Sequence, residues 1–253
     1  MRARWGGRRV GAGRKRRLRH PGPPHVSRTA HQARHPVHVT MRAADSIPSL
    51  RTARVFGPLR GALARATKIG FRVVHFSVQQ DHVHLIVEAD SPRAFENGAW
   101  GLAVRTARAI NRGARRRGQV WTHRYHHHPL RTPREVRNGL VYVLLNFRKH
   151  LRAGPGIDPR SSGPWFTGWR RSARIRSARV RSADVCPVAA PLTWLAAIGW
   201  LRAGGPIAPD TGPALSRGSG VRSGVGRRRG PVGLVQQRLA ELGRGGGVAQ
   251  LDD

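Results

Sequence analysis

The chain has 253 residues, with 47 Lys or Arg against 12 Asp or Glu and a formal net charge of +35. That length allows one folded domain with tails, and that charge excludes a basic partner and points to a polyanion. All the lysines are Lys15, Lys68 and Lys149, so the charge is nearly all guanidinium, which fits phosphate bidentately and stacks on bases. One cysteine, Cys186, excludes an internal disulfide and a four-cysteine zinc site, and fits a reducing, cytoplasmic setting.

Residues 1–34 are rich in Gly, Pro and Arg with little hydrophobic periodicity, and read as a flexible basic arm without the apolar core of a signal peptide. Structure should begin near His35, where HPVHVTMRA alternates like a strand. A helix is expected over about Leu50 to Lys68, with Val55, Leu59, Leu63 and Ala66 on its apolar face and Gly70 as its stop. Two strand-like runs follow, 71–79 and 82–89, joined by Gln79, Gln80 and Asp81 as an antiparallel hairpin. Ser91 and Pro92 open a second helix reaching about Arg116. Its apolar face would hold Phe95, Leu102, Val104, Ala107 and Ile110, with Arg105, Arg108, Arg112 and Arg115 as a basic stripe.

QVWTHRYHHHPLR (119–131) reads as a further strand, with Arg124 and aromatic residues interleaved among its cations, and His126, His127 and His128 as its rim. The next helix has a sharp start: Thr132 as N-cap, Pro133 at the first helical position, Glu135 at the capping-box position. It should run to about His150, before Gly154 and Pro155. The order strand, helix, strand, strand, helix, strand, helix predicts an α+β, ferredoxin-like split βαβ sandwich: an antiparallel sheet with helices on one face plus an extra C-terminal helix. The domain is expected over residues 35–152, an extension packing back on it over 153–215, and a Gly/Arg-rich, disordered tail over 216–253. The apolar run 191–201 is too short to span a bilayer.

Two features carry chemistry. In a strand, His82 and His84 point to one face while Val83, Leu85 and Val87 go to the other, so two imidazoles stand one pleat apart. On the last helix Tyr142 and Asn146 sit four residues apart and share a face. If that helix crosses the hairpin, the Asn146 amide oxygen can join His82 and His84 around Mg²⁺ or Mn²⁺, leaving positions open for water and a phosphate oxygen. Lys149, one turn further, could help to lower the cost of a Tyr142 phenolate. Tyr125 is the competing tyrosine, but Pro129 stands where an amide would be needed.

The runs DHVHLIVE (81–88) and RYHHHPLRTPREVRNGLVYVLLNFRKH (124–150) resemble the single-tyrosine HUH transposases of insertion sequences, and most closely the REP-associated tyrosine transposases. The resemblance implies a bacterial, cytoplasmic and nucleoid-associated enzyme that cleaves and rejoins single-stranded DNA at hairpins, with a homodimer possible. It assigns Tyr142 as nucleophile and His82, His84 and Asn146 as metal ligands. Arg105, Arg108, Arg112, Arg124 and Lys149 are then expected to hold the DNA backbone. Two other readings stay open: a protein that binds DNA or RNA hairpins without cutting them, and a metal-dependent phosphodiesterase that uses water.

Overall fold

The computed structural model describes residues 31–148, 156–170 and 185–210. Of the arm expected over 1–34, residues 1–30 lie outside the described residues, as do Lys149 and the tail over 216–253, while His31 is no part of a flexible arm: it is buried and stacks on Phe95 at 5.3 Å. Strands β1 (Val37–Arg42), β2 (Phe71–Val78), β3 (His82–Ala89) and β4 (His126–Pro129) form one antiparallel sheet in the order β2-β3-β1-β4. Helices α1 (Ala53–Ala64) and α2 (Pro92–Gly113) supply the two crossovers, and α3 (Pro133–Leu145) follows β4. This is the split βαβ arrangement that the element order predicts.

The sheet separates two cores. On one face Val83, Leu85 and Val87 of β3 pack with Val37 and Val39 of β1, Leu59 and Leu63 of α1, and Phe95, Leu102 and Ile110 of α2. On the other, Ile86 and Val74 meet Leu130 and the α3 residues Val136, Leu140, Val143 and Leu144. Burying each such side chain contributes about 1.5–3 kcal/mol, so α3 is clamped against the face that carries His82 and His84.

Local chemistry sets the helix starts. The Ser91 side chain accepts the Ala94 N–H at 3.1 Å, with Pro92 next in the chain. In α3 the capping box is complete: Thr132 Oγ1 accepts the Glu135 N–H at 3.1 Å and the Glu135 carboxylate accepts the Thr132 N–H at 3.2 Å.

Several expectations need correction. The first helix starts at Ala53 rather than near Leu50, and its end is capped by Arg65, so Gly70 belongs to the turn entering β2. In α2 the buried positions include Thr106 and Ala109, with Val104 and Ala107 only half-buried. The Thr106 hydroxyl is satisfied locally by donating to the Leu102 carbonyl at 2.7 Å. Only His126–Pro129 of the run 119–131 is strand. The preceding residues are drawn into a loop, where the Trp121 indole donates to the Ala103 carbonyl of α2 and the Gln119 amide donates to the Trp121 carbonyl.

Beyond α3, residues 163–165 form a 3₁₀ turn, and a four-residue helix α4 (Trp194–Ala197) leads into a second 3₁₀ turn over Gly199–Ala203. Phe166, Trp169, Leu195 and Trp200 complete the core beneath α3. Buried Glu88 anchors this segment by accepting the N–H groups of Leu192 and Thr193 and the Thr193 hydroxyl. Among the described residues no helix is long and apolar enough to cross a membrane.

Candidate functional site

Where α3 crosses the hairpin, His84, His82 and Tyr142 come together as the spacing predicts. The Tyr142 ring stands edge-on to His84 with 4.9 Å between centroids, and His84 stands edge-on to His82 at 4.6 Å. His84 is 1 % exposed. Asn146 is the C-cap of α3 rather than an interior helical residue, with its backbone N–H still donating to the Tyr142 carbonyl at 3.1 Å. The i to i+4 relation therefore survives, and the Asn146 side chain is buried with its amide beside the Tyr142 phenol.

In both histidines Nδ1 lies beside an oxygen partner. His82 Nδ1 is 2.6 Å from Asp81 Oδ1, and Asp81 Oδ2 meets the Arg42 guanidinium at 3.4 Å. A carboxylate accepts only, and the bond from His82 together with the Arg42 charge holds Asp81 below the usual carboxylate range. His82 therefore donates this bond through Nδ1–H. His84 Nδ1 is 3.1 Å from Thr40 Oγ1.

Sequence reasoning missed His38. It is 3 % exposed, stacks on His84 at 5.3 Å and meets Tyr142 edge-on at 5.6 Å. Burial pushes its pKa down to about 3, helped by His128 and His82, so it is a neutral imidazole. The signal was present in the alternation of β1, where His38, Thr40 and Arg42 share the face of His82 and His84. Ser77 and Gln79 were missed as well. Ser77 lies opposite His84, and fully buried Gln79 donates to the Ser77 hydroxyl at 2.7 Å.

The Tyr142 phenol is not activated as it stands. Burial pushes it up to about 12, and the adjacent Asn146 amide pulls it only partly back. The cationic help expected of Lys149 falls outside the described residues.

The donor set fits an open divalent site. Two imidazoles whose Nδ1 atoms already have oxygen partners would provide two nitrogens, and the buried Asn146 carboxamide would add one neutral oxygen. Among the described residues no group of three or more His, Cys, Asp or Glu side chains is placed to hold a metal ion. His38 is thus a neighbour of the site, and a cation here would depend on the amide and on water.

The expected DNA contacts divide. Arg108 and Arg112 are exposed on α2, which packs on the sheet face opposite Tyr142, and Arg105 is half-buried there. Arg124 is exposed in the loop before β4. The structure does not bring the α2 stripe to the tyrosine.

An antiparallel sheet of ferredoxin-like order, with two imidazoles meeting a tyrosine of α3, defines an α+β domain with a His–Tyr centre. Residues 59–136 match the family model described as "Transposase IS200 like", so over this stretch the chain is similar to that family. The matched stretch contains His82 and His84 and ends before Tyr142. No curated protein matches the chain. Among solved structures the chain is similar to one described as "Structure of the REP associates tyrosine transposase bound to a REP hairpin". The identity is 17%, the TM-score 0.49, and the likeness covers 64% of this chain and 100% of that one.

Proposed function

We propose that the chain is a metal-dependent endonuclease and strand transferase acting on single-stranded DNA at hairpins, with Tyr142 as its nucleophile. The observation that carries this reading is the packing of Tyr142 edge-on against His84, 4.9 Å between centroids, with Asn146 one helical turn beyond. The IS200-like match over the strand of His82 and His84 supports it.

In this reading the phenolic oxygen attacks a DNA phosphorus, forming a Tyr–O–P bond and breaking the P–O3′ bond. One strand end leaves with a 3′ hydroxyl, and the phenolic proton passes to it through solvent. The intermediate keeps a phosphodiester, so a 3′ hydroxyl can reverse the step and join a new strand without ATP. His82 and His84, through Nε2, and Asn146, through its amide oxygen, would hold Mg²⁺ or Mn²⁺. The bound ion supplies positive charge beside the phosphate oxygens. Tyr142, clamped by α3 and edged by His38 and His84, needs little reorientation before attack. Arg124 and the basic arm would grip the DNA backbone. Arg105, Arg108 and Arg112 would meet DNA that passes round the sheet edge.

A specific observation favours a second reading, a hairpin-binding protein that does not cut: burial holds the Tyr142 phenol at about 12, far from its reactive form. One experiment separates the two. Labelled hairpin oligonucleotides with unpaired flanks are incubated with the protein and Mn²⁺ and run on a denaturing gel. The endonuclease reading expects a covalent protein–DNA band that disappears with EDTA and in Tyr142→Phe. Retardation on native gels with no covalent band under any metal would leave the binding protein.

A further inference from the structure

The face of β1 beneath α3 is polar where a buried strand is ordinarily apolar. His38, Thr40 and Arg42 alternate along it, and a spacing of two residues places all three on the side of His82 and His84. In the antiparallel register Arg42 lies directly opposite His82, and Thr40 directly opposite His84. Each engages the histidine that it faces, one through an intermediary. Arg42 meets Asp81 Oδ2 at 3.4 Å while Asp81 Oδ1 takes the His82 Nδ1 proton at 2.6 Å. Thr40 Oγ1 stands 3.1 Å from His84 Nδ1.

An imidazole with no fixed partner exchanges tautomers and rotates about its outer torsion, so its lone pair points to a ligand only part of the time. A partner on Nδ1 ends both freedoms and leaves Nε2 as the ligating atom. Stacked against His84 at 5.3 Å, His38 also restricts rotation of that ring from the side.

We propose that β1 is the positioning strand of the metal centre: Thr40 directly, and Arg42 through Asp81, hold His84 and His82 with Nδ1 engaged and Nε2 presented to a divalent cation that neither β1 residue touches. The proposal rests on the metal-dependent reading above. It adds that Thr40, Asp81 and Arg42 set the affinity for the ion, and that the Thr40 hydroxyl accepts from His84 rather than donating to it.

The test measures Mn²⁺ binding, not cleavage. The full chain and its Thr40→Val, Thr40→Ser, Asp81→Asn and Arg42→Gln variants are titrated with Mn²⁺ by isothermal calorimetry, and free Mn²⁺ is counted by electron paramagnetic resonance. Circular dichroism monitors the fold. Thr40→Val keeps the side-chain volume and Asp81 is half exposed, so both variants should remain folded. The expected result is a Kd raised about 10- to 100-fold in Thr40→Val and Asp81→Asn. Arg42→Gln should show a smaller rise, and Thr40→Ser, which restores the hydroxyl, a return towards the parent value. Parent-like Kd values in folded Thr40→Val and Asp81→Asn would overturn the proposal while leaving the metal site standing. A parent chain that binds no Mn²⁺ would overturn both this proposal and the metal-dependent reading on which it rests.

Discussion

Two of the buried histidines, His38 and His75, sit in chemically different places. His38 belongs to the tyrosine centre, whereas His75 lies under the segment 156–170, where Nδ1 meets Ser162 Oγ at 3.2 Å and the ring stands edge-on to Phe166 at 5.2 Å. Burial pushes the His75 pKa down to about 4 from 6.5. The unfolded chain therefore binds a proton at this residue between those values while the folded chain does not. The resulting stability is present above pH 6.5 and is lost as the pH falls towards 4. A displacement of that size corresponds to about 3 kcal/mol. Urea midpoints should fall across this window in the parent chain and fall less in His75→Asn, and equal pH slopes would contradict the assignment. Neither buried histidine was legible as such in the sequence, because alternation shows which residues share a face and not how deeply a helix covers it.

At the scale of elements, local chemistry was the readable part. The α3 capping box and the Ser91 cap of α2 follow from short-range hydrogen bonding and formed as written. The hairpin of His82 and His84 was legible from alternation, but the phase of β2 was not. Between Val73 and His75 a bulge shifts the register, so that Phe76 faces α1 and α2 and Ser77 lies opposite His84. Regular alternation from Val73 would instead turn Phe76 towards the site, and one inserted residue reverses that. Gly139 shows the same limit. As a helix-interior glycine it costs about 1 kcal/mol relative to Ala. The structure puts it where a Cβ would come within 3.0 Å of Leu130 Cδ1, a side chain with no exposure. Gly139→Ala should therefore destabilise the chain, because overpacking of about 1–3 kcal/mol outweighs the propensity gain. A raised Tm would contradict the tight crossing of α3 over the sheet.

Across the whole molecule, a buried ion pair ties the later segment to the rest of the fold. Asp158, with no exposed surface, receives both guanidinium nitrogens of Arg51 at 2.7 and 2.8 Å, and Arg51 also donates to the Val78 carbonyl. Removing one partner of such a pair leaves a charge without its counterpart, so Asp158→Asn should cost on the order of 3 kcal/mol in urea unfolding. A loss below about 0.5 kcal/mol would mark the pair as incidental to stability. The charge of +35 acts at the same scale. If 6–10 phosphates are contacted, hairpin affinity should drop about 10³- to 10⁵-fold between 50 and 200 mM salt, as measured by fluorescence anisotropy. A nearly flat salt profile would remove the backbone grip from the account. Composition points to a polyanionic partner, but not to where the cations sit. Arg108 and Arg112 follow α2 to the far side of the sheet from Tyr142 because their helix buries Phe95, Leu102 and Ile110 against that face.

The central claim, that Tyr142 bonds to DNA, is tested most directly by mapping the covalent product. The protein is incubated with Mn²⁺ and a flanked hairpin oligonucleotide, digested with nuclease and protease, and the peptides are sequenced by mass spectrometry. The account predicts a nucleotide phosphate on the peptide containing Tyr142 and a free 3′ hydroxyl on the released strand. A phosphate on Tyr125, or cleaved DNA with no modified tyrosine, would contradict it.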